Sequence, residues 1–307
     1  MSVPIGVADP GRSSARSLGR LASLERGRRR TRVDALAVAG AVVVALATIL
    51  AVLAPVLSPG DPIKNSLLDR LTPPMWLSGG DAKHPLGTDT LGRDVASRLL
   101  HGARVSLAVG FSAVIVAGVI CVALGLVSGW YGGRLDDALM RLGDVQLAFP
   151  VLVLAIAVLA VLGASMTSLI LVLGVTRWIT YARIVRGEVL TLRERDFVAA
   201  ARALGAPDRW IMLRHLLPNV LPPITVVATF EVARTIIAEA SLSFLGLGIP
   251  APEPSWGAML DEGRNYITTG WWLALFPGLA ILLVVLGINL VGDWLRDVLD
   301  PRMERGV

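Results

Sequence analysis

Val105-Ser-Leu-Ala-Val-Gly-Phe-Ser-Ala-Val-Ile-Val-Ala-Gly-Val-Ile-Cys-Val-Ala-Leu-Gly-Leu-Val-Ser-Gly-Trp-Tyr131 runs without one ionisable charge from Arg104 to Arg134. At about 1.5 Å per residue such a run crosses a hydrocarbon core of about 30 Å as a helix. Its apolar residues are continuous rather than spaced for one face of a soluble helix, so the stretch predicts a membrane span. The whole chain has the same character. Of its 307 residues 54% are hydrophobic, 17% charged and 6% aromatic, with a mean hydropathy of +0.66. A soluble domain carries about 25% charge, which excludes an ordinary cytosolic enzyme. A transmembrane barrel would show alternating segments of about ten residues, and a disulfide scaffold would need more than the single Cys121.

Outward from this stretch five further spans are read, four of them by the absence of charge. Ala35 to Leu57 is the first, too long in its apolar part for a cleaved signal peptide. The stretch between Asp144 and Arg177 divides at Gly163-Ala-Ser-Met-Thr-Ser168 into a third and a fourth. Ile224 to Leu247 is the fifth, and about Trp271 to Val291 the sixth, with Trp271 and Trp272 at an interface. The fold class expected is therefore an all-α integral membrane protein with six transmembrane helices.

An even number of spans puts both termini on one side. Eight of the 29 basic residues precede residue 33, closing with Arg26, Arg28, Arg29, Arg30 and Arg32 beside the first span. With the loops 128–146 and 182–222 and the C-terminal tail, that face holds twenty basic residues against seven on the other, so both termini are expected to be cytoplasmic. Charge placed at a membrane edge also argues against nucleic acid as the partner of this basic chain. Within the tail, Leu18, Leu21 and Leu24 with Arg16 and Arg20 could form a surface helix on anionic lipid; a disordered basic tail is the plainer reading.

The 182–222 loop carries the most specific pattern: Asp196-Phe-Val-Ala-Ala-Ala-Arg-Ala-Leu-Gly205-Ala-Pro-Asp-Arg-Trp-Ile-Met-Leu-Arg-His-Leu-Leu-Pro218-Asn219. Helix formers lead into Gly205, which can turn the chain, and Pro207 suits the first turn of a second helix that ends before Pro218. The second helix is expected to expose Asp208, Arg209, Arg214 and His215 and to anchor through Trp210, Ile211, Leu213 and Leu217. A rigid knob of this kind is a docking element.

Here the chain resembles the permease subunits of ABC importers for dipeptides, oligopeptides and nickel, in particular the C-type member of each permease pair. That family's loop motif, Glu-Ala-Ala, then Gly, then Leu-Pro, is matched at Ala199, Ala200, Ala201, Gly205, Leu217 and Pro218, with Ala199 in place of the glutamate. The blocks His84-Pro-Leu-Gly-Thr-Asp-Thr-Leu-Gly-Arg-Asp94, Ser97-Arg-Leu-Leu-His-Gly-Ala-Arg104, Gly129-Trp-Tyr-Gly-Gly133, Glu239-Ala-Ser-Leu-Ser-Phe-Leu-Gly-Leu-Gly248, Pro254-Ser-Trp-Gly257 and Gly292-Asp-Trp-Leu-Arg-Asp-Val-Leu-Asp-Pro301 extend it over about residues 35 to 302.

The resemblance implies a type I ABC importer transmembrane fold in the cytoplasmic (inner or plasma) membrane of a prokaryote. It divides the chain into a basic cytoplasmic tail (1–33) and the first helix with an extracytoplasmic segment (34–103). A five-helix permease core with a cytoplasmic coupling loop at 188–222 (104–293) and a cytoplasmic tail (294–307) follow. The partners implied are a homologous B-type permease, two ABC ATPase domains that hold ATP and Mg, an extracytoplasmic substrate-binding protein and membrane lipid. Peptide is the cargo expected, with nickel or another small solute as the alternative.

Residues in no regular pattern complete the set of candidates. Glu231 and Arg234 stand three apart on one face of the fifth helix, either as an internal pair or lining the pathway, and Glu239 is a third ionisable group there. Arg177 and Arg183 are read as snorkelling. Pro250-Ala-Pro-Glu-Pro254 is stiff and leads into Ser255-Trp256-Gly257, a cap and anchor for a short helix. Glu253, Trp256 and Asp261 are the candidate contacts for the binding protein, against a solvated connector. No phosphate-binding loop precedes Lys64 or Lys83, and His84, His101 and His215 lack metal-ligand spacing. The chain is therefore expected to be no enzyme and to hold no cofactor or metal. A stand-alone channel or secondary transporter, running on its own intramembrane charges, is the rival class.

Overall fold

The computed structural model describes residues 35–299, which are helical throughout apart from connecting loops and one isolated β-bridge between Thr88 and Asp94. The surface helix considered for Leu18, Leu21 and Leu24 lies outside the described residues, as do residues 300–307. Four helices are long and apolar enough to cross a membrane, or six spans if each of two bent helix pairs counts as one.

Helix α1 (Ala35–Val52) is followed by a single turn, α2 (Ala54–Leu57), with Pro55 at its start where a missing N–H costs no bond. Residues 58–94 are largely irregular and end on Asp94, whose Oδ2 accepts from the Ser97 backbone N–H at 2.7 Å and so caps α3 (Val95–Tyr131). The helix starts at Val95, well before the expected Val105. A search for uncharged sequence stops at Arg98 and Arg104, but Arg98 is buried in ion pairs and Arg104 lies on the exposed side.

The third and fourth spans are broken. Helix α4 (Gly133–Leu147) meets α5 (Val151–Leu162) at 90°, and α6 (Met166–Val175) meets α7 (Trp178–Leu192) at 41°. Pro150 forces the first bend, and the charges Arg134, Asp136, Asp137, Arg141 and Asp144 suit α4 to a polar face rather than to lipid. The turn expected at Gly163–Ser168 is present: Gly163 has φ +82°, and Ser165 Oγ accepts from the Ser168 N–H at 3.0 Å to start α6. Gly125 and Gly129 of α3 let α7 approach so closely that a Cβ on Gly125 would stand 2.5 Å from Val185 Cβ, and one on Gly129 2.8 Å from Val189 Cβ.

Helix α8 (Asp196–Ala203) turns at Gly205, φ +80°, into α9 (Asp208–Ile211), for which Pro207 is the N-cap rather than the first helical residue. Contrary to expectation, the knob helix does not end before Pro218. It passes through a π-type turn, Met212–Leu216, directly into α10 (Leu217–Phe244), which begins before the expected Ile224. Pro218 has no N–H and its ring crowds the carbonyl one turn back; the wider π turn relieves this crowding. Asn219 Nδ2 donates to the His215 carbonyl at 2.6 Å, occupying one of the carbonyls that the irregular register exposes.

After α10 come α11 (Trp256–Gly263) and α12 (Trp272–Leu299). α1 lies on α12 at a close glycine crossing, where a Cβ on Gly40 would meet the Gly287 carbonyl oxygen at 2.7 Å. The core between α1, α3, α10 and α12 is filled by Leu107, Val232, Ile236, Trp256, Val284 and Ile288.

Candidate functional site

The candidate residues fall in three zones: the α8–α9 knob, the middle of α10, and the opposite end of the bundle around α11. In the knob, Val198, Ala201, Ile211 and Leu216 are buried against Leu126, Trp130, Val185 and Val189 of α3 and α7. Arg202 of α8 lies 4.4 Å over the Trp130 ring, and Arg193 at the end of α7 donates Nη1 to the Gly129 carbonyl at 3.0 Å, so α8 and the turn before it are both held to the end of α3. Nearby, Arg186 of α7 grips Asp136 of α4 through both nitrogens, Nε to Oδ1 at 2.6 Å and Nη2 to Oδ2 at 2.5 Å.

The surface of this knob is aromatic. Trp210 packs edge-on to His215 at 4.8 Å between centroids, and Phe197 approaches the same imidazole at 5.9 Å. Leu204 is 88% exposed and Leu213 62%. Trp210 and Leu213, expected as anchors, are thus on the outside; Ile211 and Leu216 do the anchoring. With Ile211 inward, Trp210 lies about 100° and Leu213 about 200° round the helix from it, and the π-type turn brings Leu216 to the buried side, which a 3.6-residue count does not give. Of the motif residues, Ala199 and Ala200 are exposed, Ala201 is buried, and Gly205, Asp208, Arg209 and Pro218 are exposed, with His215 and Leu217 half-buried.

In α10 the expected pair is present, with Arg234 Nη1 to Glu231 Oε1 at 2.8 Å, but it is half of a triad. Arg177, at the break between α6 and α7, donates Nη1 to Glu231 Oε2 at 2.8 Å. Arg177 therefore does not snorkel, and Arg183 pairs with Asp144. The Glu231 side chain is 3% exposed, while that of Arg234 is 65% exposed. Glu239 is fully enclosed. Ser106 Oγ donates to its Oε2 at 3.1 Å and Ser243 Oγ to its Oε1 at 2.7 Å, and it has no cationic partner among the described residues.

At the α11 end, Ser255 caps the helix by accepting from the Ala258 N–H at 3.2 Å. Trp256 is buried, its indole Nε1 donating to the Leu99 carbonyl at 3.1 Å. It is an anchor, so its candidacy as a surface contact is withdrawn. Glu253 is exposed, and Asp261 is half-buried in a 3.2 Å pair with Arg264. A charge cluster that sequence reasoning missed lies beside them. Asp89 Oδ2 accepts from Arg93 Nε at 2.6 Å and also from Arg98; Glu262 of α11 accepts from Arg93 Nη2 at 2.8 Å and from Arg98 Nη2 at 2.9 Å. It clamps the 58–94 segment and α3 to α11. The signal available was a burst of charge, Asp89, Arg93, Asp94 and Arg98, immediately before an uncharged helix. Among the described residues no group of three or more His, Cys, Asp or Glu side chains could hold a metal ion.

This architecture has known counterparts. One chain of a solved structure of the MetNI methionine ABC transporter, in inward-facing conformations, matches with a TM-score of 0.52 at 20% identity, over 66% of this chain and 96% of that one. At that identity the likeness speaks for the fold, which is the expected importer transmembrane fold. The N-terminal TM domain of oligopeptide transport permease C matches residues 24–74. A di/tripeptide transport system permease of Pseudomonas aeruginosa is 43% identical over 268 residues, 87% of this chain and 88% of its own. A dipeptide transport system permease of Alkalihalophilus pseudofirmus is 42% identical, covering 88% and 86%, and a glutathione transport system permease of Pectobacterium atrosepticum is 42% identical, covering 87% of each. With residues 121–305 matching the family's own model as well, the chain belongs to the binding-protein-dependent transport system inner membrane components.

Proposed function

We propose that this chain is the C-type permease subunit of an ATP-driven peptide importer in the inner membrane of a prokaryote, with both termini cytoplasmic. It forms half of the translocation pathway; a homologous B-type permease forms the other half. Two ABC ATPase domains bind ATP and Mg, hydrolyse the nucleotide and dock on the α8–α9 knob. A binding protein delivers cargo to the opposite face at Glu253, Asp261 and the 58–94 segment.

The observation that carries this reading is the cluster of exposed Phe197 and Trp210 about the half-buried His215, on a knob continuous with α10. An apolar, aromatic surface on the charged side of a membrane protein marks a protein contact. Its rigid connection through Met212–Leu216 gives any push on the knob a path to Glu231 and Arg234. The relatives' names supply peptide as cargo. Closure of the ATPases then biases the bundle between two states by differential affinity for them.

Reconstitution tests this. The heteromer of both permeases and both ATPases, in proteoliposomes with the binding protein, should accumulate labelled dipeptide only with ATP. Uptake at full rate by this chain alone, without ATP, overturns the subunit reading.

A further inference from the structure

The Arg177–Glu231–Arg234 triad has two cations and one anion, so it retains one positive charge in the middle of α10. Its donors also outnumber its acceptors. Arg177 Nε is enclosed without a partner, as is Tyr181 Oη one turn along α7, and Arg234 engages Glu231 through Nη1 alone. An exposed guanidinium halfway along an apolar helix cannot face lipid without a large penalty, so this side of α10 faces a polar space or a partner.

Directly along the same face runs an apolar groove of about 410 Å³, lined by Ile237, Ser241 and Phe244 of α10, Leu245 just after it, Leu260 of α11 and Ile281 of α12. Arg234, Ile237 and Ser241 are successive turns of one helix, and Ile237 lies about 4.5 Å, and Ser241 about 10 Å, along the axis from Arg234. Two or three extended peptide residues span about 7–10 Å. We propose that Arg234 and this groove form a transit subsite for short peptides. The guanidinium takes the free C-terminal carboxylate, and the groove takes an apolar side chain of the same peptide. This deepens the peptide-importer reading and rests on it. The charge settles the occupant: a net cation with spare donors recruits an acceptor-only group, and a carboxylate is bound by two parallel N–H groups.

The test uses the assembled complex of both permeases and both ATPases. Without binding protein, Leu-Leu at millimolar concentration should raise the melting temperature of the wild-type complex and Leu-Leu amide should not; Arg234→Gln should abolish the difference and Arg234→Lys retain part of it. With binding protein, Arg234→Gln should slow uptake of Leu-Leu about tenfold, the loss expected for one charge-assisted pair. Unchanged uptake by Arg234→Gln overturns the proposal, as does reduced uptake by an intact complex that never distinguishes acid from amide. If Arg234→Gln releases the partner permease during purification, Arg234 is an intersubunit contact and the subsite is again overturned. A wild-type complex that moves no peptide at all removes the importer reading itself, a separate result.

Discussion

Arg177 Nη1 donates to Glu231 Oε2 at 2.8 Å across 54 positions of sequence, joining the α6–α7 break to the middle of α10. Glu231 is thereby shared between two arginines, and this changes what an exchange of charges does. For an isolated pair, Glu231→Arg with Arg234→Glu would restore the interaction. Here it sets a second guanidinium against Arg177, so the exchange should rescue neither uptake nor stability. Glu231→Gln alone leaves both arginines without their anion and should cost about 3–5 kcal/mol, read as a lower melting temperature of the purified complex. A neutral Glu231→Gln variant, or a rescued exchange, would show that Arg177 is not bound to this carboxylate.

Glu262 should prove structural even though it is a third exposed. Glu262→Gln leaves Arg93 and Arg98 to share Asp89, with charged donors left over in a buried site. The expected loss is about 1–3 kcal/mol. Hydrogen exchange should accelerate in residues 256–266 and 84–98 and stay unchanged in the knob. Acceleration spread evenly over the bundle would argue against a local clamp.

The spans were legible where the membrane alone selects residues, because a helix surrounded by lipid must be uncharged along its length. The start of α3 was not, since a rule that stops at charge stops at Arg98, which is neutralised jointly by Asp89 nearby and by Glu262, 164 positions away. The Ser255 cap was legible from its serine, the break before α6 from Gly163–Ser168, and the knob's turn from Gly205. The inner face of the knob was legible only in part: Ile211 is buried as expected, Trp210 and Leu213 lie too far round the helix to join it, and the π-type turn at Met212–Leu216 places Leu216 inside, which no 3.6-residue count gives. Trp256 was read both as the anchor of a short helix and as a docking contact; the Leu99 carbonyl holds its indole inside the bundle, which fits the anchor and not the contact.

The α3–α7 seam depends on the absence of side chains. Gly125→Leu drives a Cβ to 2.5 Å from Val185 Cβ and 2.8 Å from the Ala182 carbonyl oxygen, whereas a Cβ at Gly118 of the same helix meets nothing within 4 Å. Gly125→Leu should cost at least about 1–3 kcal/mol as overpacking, and Gly118→Leu should be neutral. Thermal melts of the two purified variants decide it; equal melting temperatures would place the seam elsewhere.

At Gly205 the constraint is the backbone alone, because φ is +80° and a Cβ there would meet nothing within 4 Å. Gly205→Val should strain the turn by about 1–2 kcal/mol and tilt α9, while Gly205→Asn, which tolerates this region, should behave nearly as wild type. Uptake is expected to fall in the valine variant at normal expression. Equal uptake by both variants would reduce the turn to a connector.

Orientation is open to a labelling test, since the only native thiol, Cys121, is buried and its Sγ lies 3.2 Å from the Gly118 carbonyl oxygen. Glu253 and Leu204 are both exposed and sit at opposite ends of the bundle. A membrane-impermeant maleimide should therefore label Glu253→Cys in intact cells and Leu204→Cys only after permeabilisation. Trp256→Cys, seated in the core, should resist the reagent in both. The pattern is the one expected from the basic excess on the knob face, which by the positive-inside rule should set that face in the cytoplasm. Labelling of Leu204→Cys in intact cells would invert the topology, move the aromatic knob to the outside and leave the ATPases no surface on which to dock.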